Sequence, residues 1–139
     1  MYRIIEPEVA GSLGNKTEMD TSIHPPIIKS LHFEFDGWLG DDLLETFPCF
    51  IITRDLKLSI EDNNLSGISF DNVIITKSET FKELYNGRNL PKFYWAKING
   101  KPYDNDFFLG ADYRLHISEK AFSVLKKFKI DNAIIEDNS

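Results

Sequence analysis

The run Cys49-Phe50-Ile51-Ile52-Thr53 has no charged position and is too short for an independent helix. It follows Pro48 and reads as the central strand of a sheet covered on both faces. A second strand is marked by strict alternation. Leu31, Phe33 and Phe35 face a core, while His32, Glu34 and Asp36 form a solvated polar face. Around this pair the chain reads as short strands and short helices without regular βαβ spacing, which predicts an α+β fold. The sheet is expected to be mixed or mainly antiparallel, with two to four short helices. At 139 residues the chain fits a single domain spanning residues 1–139.

Turn and capping signals place the other elements. Residues 2–5 and 73–76 read as strands, and residues 93–98 as a strand closed by a tight turn at Asn99-Gly100. Along that strand Phe93 and Trp95 share one face and Tyr94 takes the other. Residues 107–109 and 113–117 suggest a hairpin, and 132–136 a last strand. Thr53, Ser78 and Ser118 are placed to cap helices over 54–63, 79–85 and 119–129. Residues 54–63 also fit a strand pattern through Leu56, Leu58 and Ile60. Asp41 is placed to cap a short helix over 41–47. Residues 10–26, rich in Gly, Pro and Asx, read as a long irregular arm.

The charge is lopsided. Residues 1–70 carry 5 basic and 12 acidic side chains, and residues 71–139 carry 11 and 10, for a net of −6. Glu34, Asp36, Asp41, Asp42 and Glu45 lie between Lys29 and Arg54 with no basic residue among them. Such a surface repels phosphate backbones and attracts a cationic partner, so no nucleic acid is expected as ligand. No apolar run approaches the length of a membrane span, and the first residues lack a signal-peptide pattern, so a cytoplasmic protein with no membrane partner is expected.

Catalytic signatures are sparse. His24, His32 and Glu34 make a conceivable metal-ligand set and support an alternative reading as a small metal-dependent enzyme. The third ligand would have to fold back from the arm, and the expectation is no metal and no cofactor. Cys49, the only cysteine, opens an apolar strand and reads as structural, not nucleophilic. Asp104 and Asp106 open a calcium-loop-like pattern that breaks at Phe108. The reading is not an enzyme.

Trp38 lies between Gly37 and Gly40 inside the acidic segment, as either a core plug or an exposed anchor. The segments Glu8-Val9-Ala10-Gly11, His24-Pro25-Pro26, Phe35-Asp36-Gly37-Trp38-Leu39-Gly40-Asp41-Asp42 and Phe47-Pro48-Cys49-Phe50 resemble immunity proteins of bacterial polymorphic toxin loci. The stretch Tyr113-Arg114-Leu115-His116-Ile117-Ser118-Glu119-Lys120-Ala121 is similar to the ending of the double-CXXCG-motif group, but the chain lacks the CXXCG pairs, so no zinc is carried over. The resemblance implies an antitoxin that neutralises a cognate toxin domain by binding it without turnover. Charge then selects Glu34, Asp36, Asp41, Asp42 and Glu45 as the toxin-binding carboxylates, with Trp38 as anchor.

Overall fold

The computed structural model describes residues 1–138. In chain order the strands and helices are β1 (Tyr2–Glu6), β2 (Gly11–Leu13), β3 (Glu18–Asp20), β4 (Ile27–Ser30), β5 (His32–Phe35), β6 (Leu43–Thr46), β7 (Cys49–Thr53) and α1 (Arg54–Asp62). There follow β8 (Ile68–Asp71), β9 (Ile74–Lys77), α2 (Glu79–Leu84), β10 (Phe93–Ile98), β11 (Phe107–Leu109), β12 (Leu115–Ser118), α3 (Glu119–Leu125) and β13 (Ile134–Asn138). The fold is α+β, dominated by strands.

β7 is the hub. Every one of its residues is buried, and it lies inside the sheet β6-β7-β10-β8. Alternation sends its side chains into two separate cores. Phe50 and Ile52 join Leu56 and Ile60 of α1, Ala121 and Leu125 of α3, and Ile5, Leu115 and Ile117. The last three come from the antiparallel sheet β11-β12-β1-β13. Cys49 and Ile51 join Phe93 and Trp95 of β10, Leu31, Phe33 and Phe35, and Phe81 of α2. This second core is closed by the sheet β2-β5-β9, in which β5 and β9 run parallel. The central sheet is therefore covered on both faces, as its apolar run demands.

Local signals also set the helix starts. Thr53, Ser78 and Ser118 accept hydrogen bonds from the amides of Leu56, Phe81 and Ala121. Helix is the state adopted after Thr53, because Leu56 and Ile60 must share one buried stripe.

Five expectations need correction. Residues 41–47 form β6, not a helix. Leu43 and Leu44 are drawn into opposite cores, and a two-residue turn places Thr46 opposite Cys49. The arm over 10–26 is not irregular throughout: β2 pairs with β5, and β3 with β4. It also roofs the face of β5 expected to be solvated, so His32 is only 3% exposed. Gly14 lies against that imidazole so closely that a Cβ there would overlap the ring. α3 stops at Leu125 because the following chain is diverted: the Lys129 amide donates to the Asp42 carboxylate (2.8 Å), and the Lys129 carbonyl accepts from the Asp42 amide (2.7 Å). No tight turn forms at Asn99-Gly100, and β10 pairs with β7 and β8. Gly100 is required there by a close approach to the Phe107 carbonyl.

Candidate functional site

The acidic segment turns out to hold itself in place. Glu8, 5% exposed, accepts hydrogen bonds from the amides of Leu39 (2.7 Å) and Asp41 (3.3 Å), pinning the loop between β5 and β6 against the chain after β1. Burial raises the Glu8 carboxyl above its usual range, and these two amide bonds oppose that rise. Asp41 is 1% exposed. Its two oxygens accept from the backbone amide and side-chain amide of Asn132, at 2.8 and 2.9 Å. Asp42 accepts from the Thr53 hydroxyl (2.7 Å) and the Lys129 amide. Both carboxylates are thus engaged in internal bonds that tie β6 to the segment after α3. The selection of Asp41 for toxin contact is corrected on that ground, since a buried carboxylate satisfied by amides is a tertiary link. Asp42 is half-buried and lines a groove with Trp38, Asp55 and Lys127.

Trp38 is likewise a plug more than an anchor. It is half-buried against the second core, with its ring edge-on to Phe93 at 5.9 Å. Its indole N–H donates to the Asp41 carbonyl (2.9 Å), and the Arg88 guanidinium lies over the ring at 4.7 Å. Glu34 stands half-buried on the outer face of β5, in register with Ser12 and Thr76.

What the loop presents instead is a ridge. Val9 is 71% exposed and Leu39 66%, and both line the groove on each side of them. On one side, Asp36, Trp38 and Tyr85 complete a shallow groove of about 320 Å³. On the other, a groove of about 660 Å³ runs past Glu6, Glu45, Phe47 and Ile134. Phe47 and Ile134 are also exposed, at 46% and 61%. The Phe47 ring rests between His24 and Tyr113 at 6.2 and 6.3 Å. Glu45 is half-buried, and burial followed by the nearby Glu6 carboxylate raises its carboxyl above the usual range. Among the described residues neither Glu6 nor Glu45 forms an ion pair. The larger groove therefore joins two uncompensated carboxylates to four exposed apolar side chains. That chemistry suits a cation carried by an apolar or aromatic surface.

Of the residues selected from the sequence, Asp36, Trp38 and Glu45 line the grooves beside this ridge, Asp41 is buried, and Asp42 lines a separate groove with Trp38. Glu6, Val9, Leu39, Phe47 and Ile134 were missed. Val9 and Leu39 lie inside the segments that carried the family resemblance, but side-chain type alone does not separate an exposed Leu from a core one.

The alternative ligand set does not assemble. His32 is engaged at both ring nitrogens: Nδ1 accepts from the Lys16 amide (3.1 Å), and Nε2 bonds the Thr76 hydroxyl (2.6 Å). Among the described residues no group of three or more His, Cys, Asp or Glu side chains is placed to hold a metal ion. The Cys49 thiol is buried, and burial pushes it up to about 12, far from a thiolate at neutral pH. Asp106 is a structural acceptor for Ser66 and Ser118. No helix among the described residues is long and apolar enough to cross a membrane. In comparison with known proteins, the chain matches no family model and no curated protein.

Proposed function

We propose that this protein is a cytoplasmic immunity-type inhibitor, which binds a cationic bacterial toxin domain stoichiometrically and without turnover. Its docking face is the Val9–Leu39 ridge with the carboxylate groove beside it. The observation that carries this reading is the pairing of Glu6 and Glu45, uncompensated and partly buried, with the exposed Val9, Leu39, Phe47 and Ile134. Such a surface is costly for a free protein: it desolvates like charges and leaves apolar area in water. A basic side chain entering the groove relieves the first cost, and the apolar ridge buried around it relieves the second. The resemblance of the segments around Val9 and Leu39 to immunity proteins points the same way.

The test is titration calorimetry of the purified chain with the variable C-terminal domain of the effector encoded beside it. One-to-one binding is expected. Leu39→Asp is expected to weaken it by about 30-fold, the range of a single interface hot spot. Glu45→Lys is expected to slow association and flatten its salt dependence. Unchanged binding in both variants would move the interface elsewhere, and a locus with no such domain would remove the reading.

A further inference from the structure

A second surface, independent of the ridge, lies where two sheets part company. The chain leaves the central sheet at Asp71, opposite Trp95, and enters the three-stranded sheet at Ile74, opposite His32. Between β9 and residues 90–93 this divergence leaves a groove of about 820 Å³.

β9 is the outer strand of its sheet and pairs only with β5. The Ile74 amide donates to the Leu31 carbonyl (3.0 Å), and the Ser78 amide to the Phe35 carbonyl (2.9 Å). In a strand, alternate residues direct their backbone N–H and C=O to opposite sides. Ile75 and Lys77 therefore point theirs away from β5, and both residues line the groove. No strand pairs with them there among the described residues.

The groove's charge is opposite to that of the whole chain. Lys82 and Lys92 are exposed at its rim, and no carboxylate lines it among the described residues. Glu79 stands 3.6 Å from the Lys82 ammonium at the surface. The third lysine, Lys77, is turned inward and donates to the Arg88 carbonyl (2.8 Å). Val73, Ile75 and Leu90 supply an apolar floor.

We propose that the free edge of β9 is a second docking site, which takes an extended acidic peptide segment as an added strand. Ile75 and Lys77 supply the backbone ladder, the apolar floor receives alternate side chains, and Lys82 and Lys92 meet the carboxylates between them. The same lysines repel a second copy of this edge, which favours an acidic partner over self-pairing.

The test uses the full chain, labelled for amide spectroscopy, and an end-blocked peptide of alternating valine and glutamate. The expected result is slowed hydrogen exchange at the Ile75 and Lys77 amides, with binding that weakens as salt is added. The exposed double variant Lys82→Glu/Lys92→Glu should keep its fold by circular dichroism and bind at least tenfold more weakly. Absent protection at those two amides, or equal binding of a valine–lysine peptide, would overturn the proposal and leave the lysines as guards of a bare edge. Displacement of the peptide by an equal concentration of short oligothymidylate would overturn it in favour of a phosphate site. Protection that appears without peptide as the chain dimerises would assign the edge to a second copy and equally overturn it.

Discussion

Asp41 and Asp36 carry the same charge five residues apart, and their surroundings give them opposite roles. Asp36 is exposed, whereas Asp41 is sealed and satisfied by Asn132. Asp41→Ala leaves both Asn132 donors without their acceptor, so it is expected to lower stability by about 2–3 kcal/mol. Asp36→Ala should stay within about 0.5 kcal/mol of the parent. Urea denaturation of the two variants checks the contrast, and equal midpoints would mean the Asn132 link contributes nothing. His116 poses a different problem. It is 7% exposed, packed edge-on to Phe108 at 4.6 Å, and neither ring nitrogen has a hydrogen-bond partner among the described residues. Burial depresses its basicity; Asp112 opposes that shift and Arg114 adds to it. The unfolded chain therefore binds the extra proton first as pH falls below about 6.5. Stability should drop from that pH down to the lower folded-state value and then level off. The midpoint difference between the parent and His116→Leu, measured from pH 7.5 to 5.0, should carry that slope. A pH-independent difference would show that the ring titrates alike in both states.

At the scale of the element, Ser118 links a helix to a loop. Its hydroxyl oxygen caps α3 by accepting from the Ala121 amide (3.0 Å), while its proton goes to the Asp106 carboxylate (2.6 Å). Ser118→Ala removes both bonds and should cost about 1–2 kcal/mol. The double variant with Asp106→Ala should cost less than the sum of the two singles, because one bond is shared. Full additivity in thermal or urea unfolding would show that the two groups act separately. This cap was legible in the sequence, as were β7 and the division of Phe93 and Trp95 from Tyr94, because each is set by neighbours in the chain. β6 was not legible. Asp41 followed by four helix-compatible residues does signal a capped helix, but that cap is diverted to Asn132, some ninety positions away. α3 lost its last turn to the same cross-link, through Asp42 and Lys129. The buried state of His32 was hidden because its cover comes from the arm, where β2 and β3 are too short to show periodicity. The site was partly legible for the same reason. Acidity around Trp38 was visible, but which acids are free to face a partner depends on tertiary bonds: Glu45 remains on the groove, while Asp41 is buried and Asp42 is tied to Thr53 and Lys129.

At the scale of the whole molecule, the charge asymmetry between the two halves of the chain acquires a spatial meaning. The uncompensated carboxylates Glu6 and Glu45 belong to the acidic first half, and the lysine-rimmed edge of β9 to the second, so the proposed surfaces select partners of opposite sign. For the carboxylate groove this leads to a proton linkage. In the free protein Glu45 is raised above its ordinary value of 4.5 by burial and by Glu6. Its protonated form is therefore favoured by folding, and this contribution fades as pH rises through 4.5 toward the folded value. A partner cation in the groove stabilises the charged form and brings the carboxyl back down. Binding should then release protons between those two values and be pH-neutral, with respect to this group, well above them. Affinity should accordingly rise from pH 4.5 upward and level off above the raised value of the free protein. Calorimetry of the toxin-domain complex at pH 5.0, in buffers of different ionisation enthalpy, should register that release. It should shrink at pH 7.5 and in Glu45→Gln, whose side chain keeps the shape and loses the proton. Proton uptake at pH 5.0, or a release that Glu45→Gln leaves intact, would mean that no cation reaches this groove.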